Sequence, residues 1–264
     1  VQEQKLKVKN PHLWDIGKGY LYTVKIGSID LAATGDAPPA FAQAAQADLV
    51  YLAHSPANPK TEAIVVPEQS AIHSVADLKG KRVGLNKGSD VNYLLVAALE
   101  KAGLSYKDIT PVYLPPADAR AAFQRGAIDA WVIWDPFLAE VETNAKARQI
   151  RNAEGLVPHY TFYLASRKFA DTYPETAKQV VDELGKLSAW ANSHQDEAAG
   201  LLSTSTGLDK AIWLKTLARL PYGAERMTPA VYNEQQALAD TFTRIGLLPV
   251  KVDVRSATWS LDKP

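Results

Sequence analysis

Gly126-Ala-Ile-Asp-Ala-Trp-Val-Ile-Trp-Asp-Pro136 is the stretch that decides the architecture. Ala130 to Trp134 is short, apolar and β-prone, Gly126 suits the end of a preceding helix, and Asp135-Pro136 is a helix-opening pair. Such a turn faces the carboxyl end of a parallel sheet, where open α/β sheets bind their ligands. The same wording stands 99 residues earlier, with Gly27-Ser-Ile-Asp30 answering Gly126-Ala-Ile-Asp129, Asp36 answering Asp135, and Pro38 following as Pro136 does. Two similar α/β lobes, each presenting one such turn to a shared cleft, account for that spacing.

The chain has 264 residues, 29 basic and 29 acidic, and no cysteine. A chain of this length makes one large or two medium domains and buries roughly 70 to 75% of its unfolded surface. Balanced charge gives no global field for nucleic acid or a membrane surface. The lack of cysteine excludes disulfides, thiolate chemistry and cysteine-ligated metal. No apolar run reaches membrane-spanning length, and Val1-Gln-Glu-Gln-Lys5 is too polar for a signal peptide, so the chain is either cytoplasmic or an exported protein whose leader has been removed. The five histidines, at 12, 54, 73, 159 and 194, lack metal-like or catalytic spacing and are expected on the surface or in loops, with no metal bound. No nucleophile elbow, phosphate-binding loop or dinucleotide fingerprint is present.

Along the chain, Lys5 to Lys9 alternates as a strand would, and the segment from Pro11 to Ile26 is not a good helix. Strands are expected at Ile29 to Ala33, Leu49 to Ala53, Ala63 to Pro67, Arg82 to Asn86, Pro111 to Pro115 and Thr161 to Ser166. Ser74-Val-Ala-Asp77 has the form of a capping box. Lys87-Gly-Ser89 leads into a helix with apolar residues at Val91, Leu94, Leu95, Ala98, Leu99 and Ala102. A strand, a glycine turn, a serine N-cap and an amphipathic helix in this order can hold an anion on free backbone N–H groups. After Ser166 the pattern is mainly helical, with one apolar face through Val180, Val181, Leu184, Leu187 and Ala191, further helices at Asp209 to Leu220 and from Thr228, and an extended, docked tail from Val250 to Trp259.

Gly27-Ser-Ile-Asp-Leu31 with Thr34-Gly-Asp36 and Pro38-Pro-Ala-Phe-Ala-Gln-Ala-Ala45, then Ala76-Asp-Leu-Lys-Gly-Lys81, Lys87-Gly-Ser89, Pro116-Ala-Asp-Ala-Arg-Ala-Ala-Phe123 and Asp129-Ala-Trp-Val-Ile-Trp-Asp-Pro136, resemble the aliphatic sulfonate-binding proteins. These are periplasmic substrate-binding components of ABC transporters, in a group that includes taurine- and nitrate-type receptors. The likeness runs from about residue 27 to 259. It implies a two-lobed α/β fold of the type II periplasmic-binding-protein kind, each lobe a mixed, mostly parallel sheet flanked by helices, with two crossover strands and a helical C-terminal part. Lobe I would take residues 1–70 and 165–264, lobe II residues 71–164. The resemblance further implies a monomeric periplasmic receptor, without cofactor, that closes by a hinge on an organosulfonate and docks to an ABC import permease. Family members begin with a further strand and helix before the part matching Lys5, and the segment from Tyr20 to Ile26 replaces their Leu- and Ala-rich helix.

A sulfonate is a permanent monoanion with three acceptor oxygens, suited to backbone N–H groups and hydroxyls at helix starts, while its alkyl tail needs apolar walls. Thr34 and Gly35 in one lobe and Gly88 and Ser89 in the other are the expected head-group contacts, and Trp134 the tail wall, with Trp131 in the core. Asp90 would repel the head and is expected to point into solvent; if it faces the cleft instead, the head sits elsewhere. Asp36 and Asp135 are expected mainly to fix their turns, or else to accept hydrogen bonds from a hydroxyl or ammonium at the far end of the ligand. Arg120 could clamp the sulfonate or pair with a surface carboxylate. The rival functions are a receptor for taurine, nitrate or a sulfate ester, an enzyme resembling the pyrimidine-precursor synthases that use histidine with a pyridoxal cofactor, and a signalling module that keeps the lobes.

Overall fold

The computed structural model describes residues 30–260. The strand expected at Lys5 to Lys9, the segment from Pro11 to Ile26, His12 and the Gly27-Ser-Ile part of the repeat lie outside them. The strands are β1 Leu31–Gly35, β2 Leu49–His54, β3 Glu62–Pro67, β4 Arg82–Leu85, β5 Thr110–Tyr113, β6 Ala130–Trp134, β7 Ala147–Asn152, β8 Thr161–Ser166 and β9 Glu225–Arg226. The helices are α1 Ala37–Ala44, α2 Asp90–Lys101, α3 Pro116–Gln124, α4 Phe137–Asn144, α5 Arg167–Thr172, α6 Pro174–Ser193, α7 Gln195–Thr206, α8 Lys210–Leu217 and α9 Pro229–Arg244.

The strands form two sheets, ordered β1-β8-β2-β9 and β5-β4-β6-β3-β7. In the second sheet β4 runs parallel to β5 and β6, and β3 lies antiparallel between β6 and β7. In the first, β8 lies antiparallel between β1 and β2, which therefore run the same way. Two placements differ from expectation. Residues 62–67, assigned by sequence to lobe I, form β3 of the second sheet, and residues 161–164, assigned to lobe II, belong to β8 of the first. The chain thus passes between sheets at 55–61 and again at 153–160. An apolar run such as Ala63 to Val66 reports burial on both faces but not which sheet provides it.

Side-chain alternation divides the second sheet's core in two. Ile64, Val83 and Val132 face Leu94, Leu95 and Leu99 of α2, while Val65, Trp131 and Ile133 face Phe123 of α3 and Leu138 of α4. Trp131 is 1% exposed, as expected of a core residue. In the first sheet Tyr51, Phe162 and Leu164 pack on Leu238 and Phe242 of α9, and Val50, Leu52 and Ala165 pack on Ala177 and Val181 of α6. Only the first half of α6 meets the sheet, so the long apolar face read from sequence is not all core: Leu187 is 58% exposed. The tail is docked, with Val252, Val254 and Trp259 buried and the Trp259 indole donating to Asp171 at 2.9 Å. The capping box at Ser74 is present, and an unforeseen second one joins Ser105 and Asp108.

Candidate functional site

The parallel strands β4 and β6 end at one edge of the second sheet, and antiparallel β3 begins there, placing Glu62 opposite Trp134. The turn after β4 carries Gly88 at φ +69°, and a Cβ on Gly88 would stand 2.9 Å from the Phe41 ring of α1. A Cβ on Gly35 would stand 2.1 Å from Asp90 Oδ2. The turns at 34–37 and 88–90 are therefore face to face, as the two-lobe reading requires, and the left-handed Gly88 beside the Phe41 ring leaves no room for a side chain there.

Asp90 occupies the contact. Its Oδ1 accepts a hydrogen bond from the Ala37 amide at 3.3 Å, so it points across the cleft and not into solvent as expected. The reason lies in α1. Pro38 and Pro39 have no N–H, and the Asp36 side chain does not cap the helix, which leaves the Ala37 amide at the positive helix end to a carboxylate from the opposite lobe. The proposed head-group donors are engaged elsewhere. Ser89, at the N-cap of α2, gives its hydroxyl proton to the Asn86 carbonyl at 2.7 Å, and the Gly88 amide donates to Asn92 Oδ1 at 3.2 Å. Thr34 is half-buried and pairs with Phe162 in the β1–β8 ladder.

The two matched aspartates part company. Asp135 accepts from the Ala139 amide at 2.8 Å, at the start of α4, and meets Arg219 of the α8 C-terminal turn at 3.3 Å. Burial pushes its carboxyl up to about 6, against the opposing pull of Arg219 and the Ala139 amide. Asp36, 3% exposed, accepts from the Tyr160 amide at 3.3 Å, while its Oδ1 has no partner. Burial, and after it the Asp90 charge, raise its carboxyl well above the usual range. Trp134 is half-buried and meets the Phe137 ring edge-on at 6.2 Å between centroids. Arg120 pairs with a carboxylate, as one of its two expected roles had it, but Glu140 is buried and not on the surface.

Two residues of this edge escaped the sequence reading. Glu62 is fully buried, and neither carboxylate oxygen has a hydrogen-bond partner among the described residues. His159, expected at the surface or in a loop, is on the second crossover but only 8% exposed. Its Nδ1 lies 3.4 Å from Glu62 Oε2 and 3.9 Å from Asp90 Oδ2. One ligand-type atom each from Asp36, Asp90 and His159 lies within 4.8 Å of the others. Burial raises the Glu62 carboxyl well above its usual range, helped by the charges of Asp36 and Asp90, and lowers the His159 imidazole despite Asp90. His54 is likewise buried, its two ring nitrogens beside the Ser55 and Arg226 carbonyls. The sequence signal for Glu62 was a lone acid opening an apolar strand. A depression of about 500 Å³ beside α6, lined by Val181, Asp182 and Lys186 among others, includes none of these residues.

The model of the NMT1/THI5-like family matches residues 18–198. A protein of Escherichia coli (strain K12) named for aliphatic sulfonate binding is 41% identical over 244 residues, which is 92% of this chain and 76% of that protein. Among solved structures, the periplasmic aliphatic sulphonate-binding protein SsuA of Escherichia coli superposes with a TM-score of 0.84 at 41% identity, covering 89% of this chain and 81% of that one. The alkanesulfonate-binding protein SsuA of Xanthomonas axonopodis pv. citri, bound to MOPS, gives 0.82 at 43% identity with the same coverage. The chain belongs to the NMT1/THI5-like family and, within it, to the aliphatic sulfonate-binding proteins.

Proposed function

We propose that the chain is a solute-binding receptor that takes an aliphatic sulfonate into the cleft between its two sheets, in the periplasm, and delivers it to an ABC import permease without chemical change. Its lobes divide at the crossovers, 55–61 and 153–160. The observation that carries the reading is the Ala37 amide at the start of α1, which already holds an anionic oxygen supplied from the opposite lobe. A sulfonate head takes the place of that carboxylate once Asp90 swings away, and Thr34, Gly35, Gly88 and Ser89 surround it. Trp134 walls the tail, while Asp36 and Asp135 shape the two turns.

On this reading Asp90 is an internal competitor, and like-charge repulsion at about 4 Å amounts to roughly 4 kcal/mol at an effective dielectric constant of 20. Titration calorimetry of ligand-stripped protein with straight-chain alkanesulfonates should therefore show saturable binding, tightened about tenfold or more by Asp90→Asn. An absence of binding to the whole series, in wild type and variant alike, removes the sulfonate reading. Competition by taurine or nitrate at equal strength would favour a broader anion receptor.

A further inference from the structure

Among the described residues, the acidic group at the crossovers has no lysine or arginine paired with it. Glu62 is fully buried with both oxygens unpartnered, Asp36 is 3% exposed with Oδ1 unpartnered, and the Nδ1 of nearly buried His159 is also unpartnered. Among the described residues, the charge acting on Asp36 comes from Asp90, and those acting on Glu62 come from Asp36 and Asp90. Isolated buried carboxylates cost several kcal/mol or more each unless neutralised, paired or bound to a cation.

We propose that Asp36, Glu62, Asp90 and His159 form a binding site for a divalent first-row transition-metal cation of the Zn²⁺ type, which ties the two lobes together at their crossovers. The four residues come from four places: the end of β1, the start of β3, the start of α2 and the second crossover. A metal held by all four therefore links the turn after β1, the start of β3, the start of α2 and the second crossover.

Asp36, Asp90 and His159 already stand close enough to share an ion, and Glu62 adjoins them through His159. A four-coordinate ion with bonds of about 2.0 to 2.1 Å keeps its ligand atoms roughly 3.3 to 3.5 Å apart. Nδ1 of His159 stands 3.4 Å from Glu62 and 3.9 Å from Asp90, and the wider spacing within the Asp36, Asp90 and His159 set is at most 4.8 Å. Small side-chain shifts close that difference. One imidazole with carboxylates suits Zn²⁺ or Mn²⁺ better than Ca²⁺, which prefers six to eight oxygens.

The test is calorimetric titration of the chelator-stripped chain with ZnCl₂ at pH 7.5, repeated with CoCl₂ to read the visible absorption of a low-symmetry site. Wild type should take up one equivalent, and Glu62→Gln and His159→Ala should each weaken it at least tenfold. A His73→Ala/His194→Ala variant, which removes exposed imidazoles, should bind as wild type does. No saturable uptake by wild type overturns the proposal, as does unchanged uptake by both site variants. Glu62→Gln removes an unpartnered charge and should fold at least as well without metal, so it decides the matter even where His159→Ala is unstable. Sulfonate titrations in the presence of chelator test the receptor reading separately: Asp90→Asn should strengthen sulfonate and weaken zinc.

Discussion

Asp135 shows how much one residue's environment adds to its sequence signal. Asp-Pro after an apolar strand predicts a helix start; Pro136 takes the N-cap position, and Asp135, one residue before it, accepts from the Ala139 amide at 2.8 Å. The approach of Arg219 from a segment 84 residues away could not be read from spacing. Asp36, matched to Asp135 by the repeat, does not cap its helix, because tertiary contact with Tyr160 and Asp90 takes its carboxyl instead. The Asp135 carboxyl, raised to about 6, binds its proton more tightly in the folded chain than in the unfolded one. Its contribution to stability is therefore greatest below about pH 4, declines as pH rises through the interval to about 6, and is flat above, a swing of about 3 kcal/mol. Asp135→Asn keeps an acceptor for Ala139 and leaves Arg219 its Glu142 partner. Denaturant midpoints across pH 3.5 to 8 should show wild type losing stability relative to Asp135→Asn between pH 4 and 6.5, with the difference constant at higher pH.

At the scale of elements, the strand carrying Trp131 and Trp134 was legible because its apolar run is too short for a helix and ends on a helix opener. The two rings then divide as the pleat demands: Trp131 packs on Phe123 at 6.0 Å, and Trp134 stands half-buried at the ligand edge beside Phe137. Removing Trp131 leaves a large cavity and should cost about 3 to 5 kcal/mol in urea unfolding. Trp134→Ala should cost clearly less stability, under about 3 kcal/mol, and should weaken long-chain sulfonates more than short ones in the calorimetric series. Other elements were hidden. β7, Ala-Arg-Gln-Ile-Arg-Asn, is an edge strand without a fully buried residue, so its sequence carries little hydrophobic signal. The direction of β3 was equally silent, since an apolar run reads the same in a parallel or an antiparallel ladder. That direction is what brings Glu62 to the binding edge. His159, a non-glycine residue at φ +53°, gave no warning of its left-handed backbone either.

For the whole molecule, paired α/β units were visible in the repeated turn, whereas the crossover points were not, because the strand sequences on either side carry no mark of which sheet they join. The contacts that join α4 to α8 are also long-range. Glu142 receives Arg219 and Lys215, the latter at 2.9 Å, and Gln149 donates to its other oxygen. Burial alone would push the Glu142 carboxyl up, but these hydrogen bonds and the Arg219 charge hold it below its usual range. Ile212 and Leu217 bury the apolar side of α8, so the ionic group fixes the position of a helix that hydrophobic packing already holds. Glu142→Gln strips Lys215 of this partner while Asp135 still holds Arg219, and should cost about 1 to 3 kcal/mol. If α4 and α8 move as a unit through that cluster, the amides of residues 212–217 will exchange with deuterium faster in the variant, whereas those of β6, buried on both faces, will not change. Equal exchange in α8 would assign its position to apolar packing alone and leave the ion pairs a role only in aligning Asp135 at the cleft.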